Sequence, residues 1–223
     1  MGDGNALTIG LPEGREAFVA SVDAFLDAVR GLEEYDLLAG SRCHGWTRLD
    51  VVTHVVAGWQ EMLCGFVDRV DGPPTVDASS YWTAYAEEFG GEDPVDVLMA
   101  QRRRGDAWVR PATAVRQLAD LAGAVRSAAQ RFSDEPCRWQ GHVFSAGDFL
   151  SVWAVEDVVH QLDLDLDAEV PATALLLTRA TVEALVGEAL PVSWSDQEAV
   201  LIGAGRLPVP ASAAPFADRL PVI

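Results

Sequence analysis

The sequence predicts a mainly α-helical protein, in which a four-helix bundle is followed by a small α/β appendage. Over four long segments, apolar side chains recur at spacings of three and four, as on the buried face of an amphipathic helix. Two of these segments also open with a capping-box pattern. The appendage is expected after residue 170, where this periodicity gives way to short apolar runs and frequent prolines.

The first two long helices are predicted near the start of the chain. From Leu11 to Leu32, apolar residues recur every three or four positions with Asp and Glu between them. A loop from Gly40 to Trp46 follows. The capping box at Thr47–Asp50 then predicts a second helix, which runs to about Val70.

The stretch after the second helix has no clear periodicity. Asp71–Pro74 ends that helix, and the chain from there to Gly91 is expected to be loop-like or weakly helical. From Pro94 to about Trp108 the pattern predicts a further helix. Four aromatic residues are packing candidates before it: Tyr81, Trp82, Tyr85 and Phe89.

The third and fourth long helices complete the predicted bundle. The third is expected from Thr113 to Phe132, because Pro111 interrupts the preceding helix and apolar periodicity resumes after it. The fourth is expected from Ser145, which opens the second capping box, to about Leu166. Four long amphipathic helices favour a four-helix bundle.

The chain is predicted to divide into a bundle at residues 1–169 and an appendage at residues 170–223. In the appendage a helix is expected from Thr173 to Leu190. Two β-like runs, Pro191–Trp194 and Ala199–Ile202, follow the helix and suggest a small α/β-like unit.

Composition and charge bound the function. The 223 residues are 49% hydrophobic and 22% charged, as in ordinary soluble globular proteins. The formal net charge of −18 would repel phosphate backbones and anionic lipid, which argues against nucleic acid and membrane partners. The three cysteines are odd in number and widely spaced, and no signal-peptide pattern or 18-residue apolar run occurs. We therefore expect a cytoplasmic protein, for which a monomer and a homodimer are both compatible.

One pair of side chains points to a metal site. Glu156 and His160 are four residues apart, so they share a face of the predicted fourth helix with apolar neighbours such as Trp153. A buried carboxylate beside a buried imidazole is costly unless a partner satisfies both. A divalent metal is one such partner, and an internal hydrogen-bonded pair is the alternative.

A third ligand would have to come from another helix. His54 is the candidate, since it lies at the rim of the apolar face of the second helix. Three protein ligands with a vacant fourth position are typical of catalytic zinc. Nickel and iron are the alternative metals.

Other polar residues near these positions allow two interpretations. Asp163 follows His160 by one turn and either orients its imidazole or is a solvated acid at the helix end. Cys43 and His44 are candidate ligands, although the following Gly-Trp pair favours a packed turn. His142 is expected in a loop, exposed or capping.

Two motifs carry a resemblance to a known family. The segment Arg42–His54 (RCHGWTRLDVVTH) is similar to the C-x-G-W-T-x-x-D-(V/L)-(V/I)-x-H signature of the mycothiol-dependent maleylpyruvate isomerase family, part of the DinB-like superfamily. The segment Trp153–Asp163 (WAVEDVVHQLD) resembles its second signature, E-x-x-x-H-x-x-D. The first helix and the tail look similar too, so the resemblance spans nearly the whole chain.

The resemblance implies a DinB-like four-helix bundle in which His54, Glu156 and His160 bind zinc. It also implies mycothiol, a low-molecular-weight thiol, as cofactor or co-substrate, and an electrophilic small molecule as the other substrate. Members either isomerise maleylpyruvate to fumarylpyruvate or transfer the thiol to an electrophile. A metal with an open position would bind the thiol sulfur and lower its pKa, which makes a thiolate available at neutral pH.

The resemblance also suggests a role for Arg206, which matches an arginine that isomerases of the family use near the site. A guanidinium suits a substrate carboxylate. The alternative is that Arg206 only ties the appendage to the bundle. His44 stands where the family often has proline, and the appendage is short, so the substrate is left open.

Two other function classes are considered. One is a metal-binding or stress-response protein of the same superfamily that performs no turnover. The other is a metal-assisted hydrolase, for which Asp163 and Glu61 are the available general bases.

Overall fold

A computed structural model describes residues 5–223 and confirms the mainly helical fold. Within that part of the chain, nine α-helices accompany a short hairpin and a 3-10 turn. The helices are α1 (Leu11–Arg30), α2 (Glu34–Leu37), α3 (Arg48–Val67), α4 (Ser80–Phe89), α5 (Pro94–Asp106), α6 (Pro111–Arg131), α7 (Ala146–Asp163), α8 (Ala172–Val186) and α9 (Asp196–Gly203). Strands β1 (Cys137–Trp139) and β2 (His142–Phe144) form the hairpin, and the 3-10 turn spans Ala211–Phe216.

The four long helices α1, α3, α6 and α7 form the bundle that the sequence predicts. Helix α1 packs along α7 and α6, and α3 packs along α6 and α7. Small residues allow the closest approach, because a Cβ atom on Gly147 of α7 would collide with the backbone of Ile9 and Gly10 before α1. Large aromatic side chains fill the space between the helices, among them the fully buried Phe18, Phe25, Trp59 and Phe149.

Both predicted capping positions begin helices, but only the first forms a complete capping box, because the Asp148 carboxylate accepts from the Ile9 N–H and the Ser145 hydroxyl and not from the Ser145 N–H. The Thr47 side chain accepts a hydrogen bond from the Asp50 backbone N–H, and the Asp50 carboxylate accepts one from the Thr47 N–H at 2.8 Å. Ser145 likewise accepts from the Asp148 N–H at 3.1 Å. These caps fix where α3 and α7 start.

The stretch after α3 contains a regular helix, α4, where the sequence favours a loop or weak helix. Its N-terminus is held by Asp77, whose Oδ1 accepts from the backbone N–H groups of Ser79 and Ser80 at 2.9 and 2.8 Å. Tyr81 then buries its ring against Trp139 and Phe144 of the hairpin. Tertiary packing thus stabilises a helix that local propensity leaves undecided.

The hairpin between α6 and α7 is a feature that the sequence analysis missed. Strands β1 and β2 are antiparallel and are joined by Gln140 and Gly141, which both have positive φ, 47° and 78°. Two consecutive left-handed residues are the requirement of a tight two-residue hairpin turn. His142 therefore lies in a strand, half-buried against Tyr81 and Phe144, and the expectation of a loop is wrong.

The C-terminal segment is helical, so both predicted β-like runs are wrong. Residues 191–194 form a turn, and residues 199–202 lie inside α9. A capping box between Ser195 and Glu198 begins that helix, and a short apolar run cannot by itself distinguish a buried helix from a strand. Helix α8 packs on α7, α1 and α9. The division of the chain at residue 170 stays a prediction.

None of the helices in residues 5–223 combines the length and apolar character needed to cross a bilayer.

Candidate metal centre

Three helix-borne side chains meet at one end of the bundle core. His54 projects from the second turn of α3, and Glu156 and His160 project from successive turns of α7. His160 Nε2 lies 3.1 Å from Glu156 Oε2. The rings of His54 and His160 are edge to face with centroids 4.6 Å apart. The structure therefore brings together the two helices from which the sequence draws its three candidate ligands.

His54 occupies an unusual setting for a core imidazole. Its ring packs on Trp46, with centroids 5.3 Å apart, and faces Glu156 and His160. Burial, followed by the neighbouring charge of His160, lowers the pKa of His54 to about 4, so the ring is neutral at pH 7. Neither of its nitrogens hydrogen-bonds to another residue in the described part of the chain. A neutral imidazole whose nitrogen has no hydrogen-bond partner is in the protonation state that binds a metal.

The other edge of His160 faces a closed polar cluster. Its Nδ1 lies 3.1 Å from Oδ2 of Asp163, which is fully buried. The Cys43 thiol donates to the same oxygen, with Sγ 3.0 Å away. Arg206 donates to both carboxylate oxygens, from Nε at 2.8 Å and from Nη2 at 3.1 Å. We call Cys43, Asp163 and Arg206 the buried carboxylate cluster.

Chain connectivity explains how this cluster forms. The Arg42 backbone N–H donates to the Asp163 carbonyl oxygen at 2.8 Å, which holds the loop before α3 against the end of α7. On the other side, Gly205 adopts a left-handed φ of 69° and turns the chain after α9 so that Arg206 reaches back to α7. Three segments that are distant in sequence thereby converge on one carboxylate.

The buried carboxylate cluster sets the protonation of His160. Burial alone would raise the pKa of Asp163, but hydrogen bonds from His160 and Arg206 outweigh burial and hold that pKa well below its usual range. An ionised carboxylate only accepts hydrogen bonds, so Nδ1 of His160 carries a proton and Nε2 points to Glu156. Burial opposes the charged form of His160, yet its bonds to Asp163, Cys43 and Glu156 raise its pKa above 6.5.

Two groups of side chains around His160 have the spacing of a metal site. In each group, one ligand atom per residue lies within 4.8 Å of the others: His54, Glu156 and His160 form the first, and Cys43, His160 and Asp163 the second. A cation already lies beside the second group, because the Arg206 guanidinium pairs with Asp163 and its Nη2 is 3.5 Å from Cys43 Sγ. A metal ion there would meet that positive charge. Charge therefore favours the first group.

The first group opens into a cavity of about 520 Å³. Helix α4 lines one side of the cavity, and Arg206 and the chain end at Pro221–Ile223 line another. The tail is held there because the Val222 N–H donates to the Gly203 carbonyl oxygen at 2.9 Å. This volume is in the usual range for small-molecule sites.

The remaining sequence candidates are distributed around this centre. Asp163 is buried at the helix end, so the alternative of a solvated acid is wrong. Arg206 both lines the cavity and ties the chain after α9 to α7, as its contacts with Asp163 show. His44 is exposed in the loop before α3, and Glu61 is exposed and outside the cavity lining.

Sequence reasoning missed how three parts of the site take shape. It placed Cys43 in a packed turn and missed its bond to Asp163. It missed the regular helix α4 that lines the cavity, although its aromatic residues at spacings of three and four were a usable signal. It did not place the tail Pro221–Ile223 against the cavity, because a contact between distant segments leaves no local pattern.

Comparison with known proteins adds to this geometry. A family model described as “Mycothiol maleylpyruvate isomerase N-terminal domain” matches residues 18–165, which include all three candidate ligands. No curated protein sequence matches the chain.

Two solved structures resemble the fold. They are crystal structures of a mycothiol-dependent maleylpyruvate isomerase and of a histidine-to-alanine mutant of that enzyme. Each has a TM-score of 0.61 and 14% sequence identity, and the likeness covers 89% of this chain and 90% of the other. At this identity the comparison shows a shared fold across nearly the full length of both chains.

Proposed function

The chain belongs to the family of mycothiol maleylpyruvate isomerase N-terminal domains, and from this premise we propose that it is a metal-dependent enzyme with a thiol co-substrate. In this proposal His54, Glu156 and His160 hold a divalent cation, zinc by preference, with nickel or iron as alternatives. Mycothiol supplies the nucleophile, and an electrophilic small molecule with a double bond occupies the cavity. The reaction is cis–trans isomerisation, or thiol transfer where the adduct is retained.

One observation carries the metal assignment. His54 is a neutral imidazole without a hydrogen-bond partner in residues 5–223, and it faces a carboxylate and a second imidazole. An internal hydrogen-bonded pair explains Glu156 and His160 alone, whose contact is 3.1 Å. It gives no reason for a third, unpaired nitrogen at the same point. The donor set of two imidazoles and one carboxylate suits zinc, whose bonds to such atoms are about 2.0–2.2 Å.

The metal would supply a single kind of chemistry. When bound, a divalent cation with an open position binds a thiol sulfur and lowers its pKa, so that the thiolate is populated at neutral pH. The remaining contributions come from the chain itself.

The side chains around the three ligands have separate tasks. Asp163 keeps the proton on Nδ1 of His160 and so leaves Nε2 available as a ligand atom. Trp46 packs against the His54 ring and restricts its rotation. Arg206 faces the cavity from the side of the buried carboxylate cluster, and we propose that it orients an oxygen of the substrate.

The isomerisation itself needs no oxidant and no net proton transfer. The thiolate sulfur forms a bond to the β-carbon of an α,β-unsaturated carbonyl compound, and the π electrons move to the carbonyl oxygen. The carbon–carbon bond is then single and rotates. The enolate reforms the double bond in the trans geometry as the carbon–sulfur bond breaks and the thiolate leaves. If the enolate is protonated first, the product is an S-conjugate.

The structure disfavours a metal-assisted hydrolase. Asp163 is fully buried and already accepts from His160, Cys43 and Arg206, so it cannot take a proton from a water molecule in the cavity. Glu61 is exposed and outside the cavity lining. The two general bases that such a mechanism would use are therefore unsuited to it.

The proposal is tested with purified protein, mycothiol and a panel of cis-configured enones that includes maleylpyruvate. We expect isomerisation or thiol consumption that requires both mycothiol and metal, is lost after chelation and returns when zinc is added. His54→Ala is expected to lose bound zinc and activity together. The exposed His44→Ala is the matched control and should keep both.

Three results would contradict the proposal. Activity that persists after complete metal removal would exclude the metal role. Full zinc occupancy in His54→Ala would exclude this ligand set. Stoichiometric zinc without turnover of any electrophile in the panel would favour the metal-binding protein that performs no catalysis.

A further inference from the structure

The cavity beside the three ligands has one strongly apolar wall. Helix α4 presents Trp82, Tyr85, Ala86 and Phe89 to the cavity, residues spaced as on one face of a helix. The rings of Tyr85 and Phe89 contact each other at 4.9 Å between centroids. Val97 of α5 and the tail residues Val222 and Ile223 extend the wall. A surface of this kind stabilises a ligand through burial of apolar area and ring contacts.

The positive charge in the cavity is already compensated. Among the described residues that line the cavity, Arg206 and His160 are the cationic groups, and His160 must give up its charge to bind a metal through Nε2. The Nε and Nη2 of Arg206 donate to the two oxygens of Asp163, and its Nη1 donates to the Ala204 carbonyl at 2.6 Å. Because all three nitrogens have partners and the carboxylate balances the charge, Arg206 can orient one oxygen but cannot neutralise two carboxylates.

The field along the apolar wall is negative. Glu92 and Glu156 both line the cavity. Burial raises the pKa of the Tyr85 hydroxyl, and the negative charges of Glu156, Glu92 and Glu61 raise it further against the opposing charge of His160. A bound metal would balance the charge of Glu156, so a second anionic group placed against this wall would be repelled chiefly by Glu92.

The apolar wall, the paired arginine and the negative charge beside the wall together limit the kind of substrate that the cavity accepts, provided that the proposed function holds. We propose that the electrophile of this enzyme is an uncharged or singly charged enone with an aromatic or bulky apolar body. Its reactive double bond lies toward His54 and His160, and its body lies against Trp82, Tyr85 and Phe89. An aliphatic dianion such as maleylpyruvate is a poor substrate by comparison, because Glu156 and the thiolate would balance the charge of the metal, Arg206 is already paired with Asp163, and the wall is apolar.

A matched pair of cis-enones tests the proposal with the full-length, zinc-loaded protein and mycothiol. The first is cis-benzylideneacetone, which is uncharged and aromatic, and the second is maleylpyruvate, which carries two carboxylates. We expect kcat/KM for the aromatic enone to exceed that for maleylpyruvate by at least about tenfold. A kcat/KM that is higher for maleylpyruvate would overturn the proposal.

Substitution of Phe89 tests whether the apolar wall causes the preference for the aromatic enone. Phe89→Ala should lower kcat/KM for cis-benzylideneacetone by about tenfold and that for maleylpyruvate by a clearly smaller factor, because the aromatic body contacts the wall most closely. Phe89→Leu should restore most of the loss. Tyr35→Ala removes an aromatic side chain that is 87% exposed in α2 and should change neither value. An equal loss for both substrates in Phe89→Ala would show a structural role for this residue and would contradict the proposal.

A binding measurement separates this inference from the proposed function. Benzylacetone and succinylpyruvate are the saturated counterparts of the two enones and cannot react with a thiol. Calorimetric titration of the metal-free protein should show tighter binding of benzylacetone. If no enone is turned over but benzylacetone binds more tightly, the proposed function fails and the account of the cavity stands. If succinylpyruvate binds more tightly, the account of the cavity fails whatever the activity.

Discussion

The two edges of the His160 ring meet opposite surroundings. On the Nε2 side lie Glu156, which is partly exposed, and His54, whose nitrogens have no hydrogen-bond partner in residues 5–223. On the Nδ1 side, Asp163 is fully buried and accepts hydrogen bonds from Cys43 and Arg206 as well. The first side has unused donor atoms and opens to a cavity. The second is closed and electrically balanced.

This difference shows that spacing alone does not define a metal site. Both sides offer three ligand atoms at similar distances. On the closed side, the Arg206 guanidinium already pairs with the Asp163 carboxylate. This side therefore contributes to the stability of the fold and to the orientation of His160. The open side leaves an electron pair of His54 without a partner, and there a cation would be stabilised. Five single substitutions and one double variant test this division of roles, in order of decreasing effect on zinc affinity.

The largest effect is expected from His160→Ala, because His160 serves both sides. Zinc affinity should fall by more than the roughly 10–100-fold that is typical for loss of a residue that only orients a ligand. Competition with a chromophoric chelator measures this change. Unaltered zinc affinity in the variant would exclude His160 as a ligand, provided that His44→Ala, the exposed control, also keeps its affinity.

Replacing each of the two carboxylates by an amide should distinguish the role of the open side from that of the closed side. Glu156→Gln is expected to weaken zinc binding strongly while changing the free energy of unfolding of the metal-free protein by less than about 1 kcal/mol. Asp163→Asn should weaken zinc binding by about 10–100-fold. It should also lower the free energy of unfolding by about 3 kcal/mol, because Arg206 loses its buried partner.

Urea denaturation in the presence of a chelator measures the stability of both amidated variants. If Glu156→Gln proved the less stable of the two, the assignment of the open and closed sides would be reversed. Arg206→Ala combined with Asp163→Asn should recover part of the lost stability, since no unpaired charge then remains.

A smaller effect is expected from Cys43→Ser. The hydroxyl keeps a donor for Asp163, so zinc affinity should change by less than about tenfold. Were Cys43 a ligand, the loss would be comparable to that of His160→Ala. The same chelator competition distinguishes the two outcomes.

The smallest effect on the site is expected from Thr47→Ala, which removes the cap of α3. The free energy of unfolding should fall by about 1 kcal/mol, the usual effect of losing an N-cap side chain. Zinc affinity should stay within about twofold, because packing on Trp46 and His160 positions His54. A parallel loss of zinc affinity would show that the cap itself positions the ligand.

The sequence was most informative where chemistry is local to a helix. The four-residue spacing of Glu156 and His160 places them on one face whatever the tertiary structure, and the caps at Thr47 and Ser145 fix two helix starts. Such patterns are set by helix geometry and hydrogen bonding within a few residues. They predicted the bundle and brought the three candidate ligands together.

Features that depend on contacts between distant segments were not predicted. Cys43 reaches Asp163 only because the loop before α3 docks on the end of α7. The run at residues 199–202 forms a helix because the cap between Ser195 and Glu198 outweighs its β-branched residues. The apolar wall on α4 is a helix face whose function becomes visible only when the cavity beside it is known.

We propose that the open side of His160 holds the metal and leaves a position for a thiol sulfur. X-ray absorption spectroscopy at the zinc edge tests it directly, with and without mycothiol. We expect only nitrogen and oxygen neighbours before mycothiol is added, and one sulfur neighbour at about 2.3 Å afterwards. A sulfur neighbour that is already present without mycothiol and vanishes in Cys43→Ser would place the metal on the closed side and contradict this assignment.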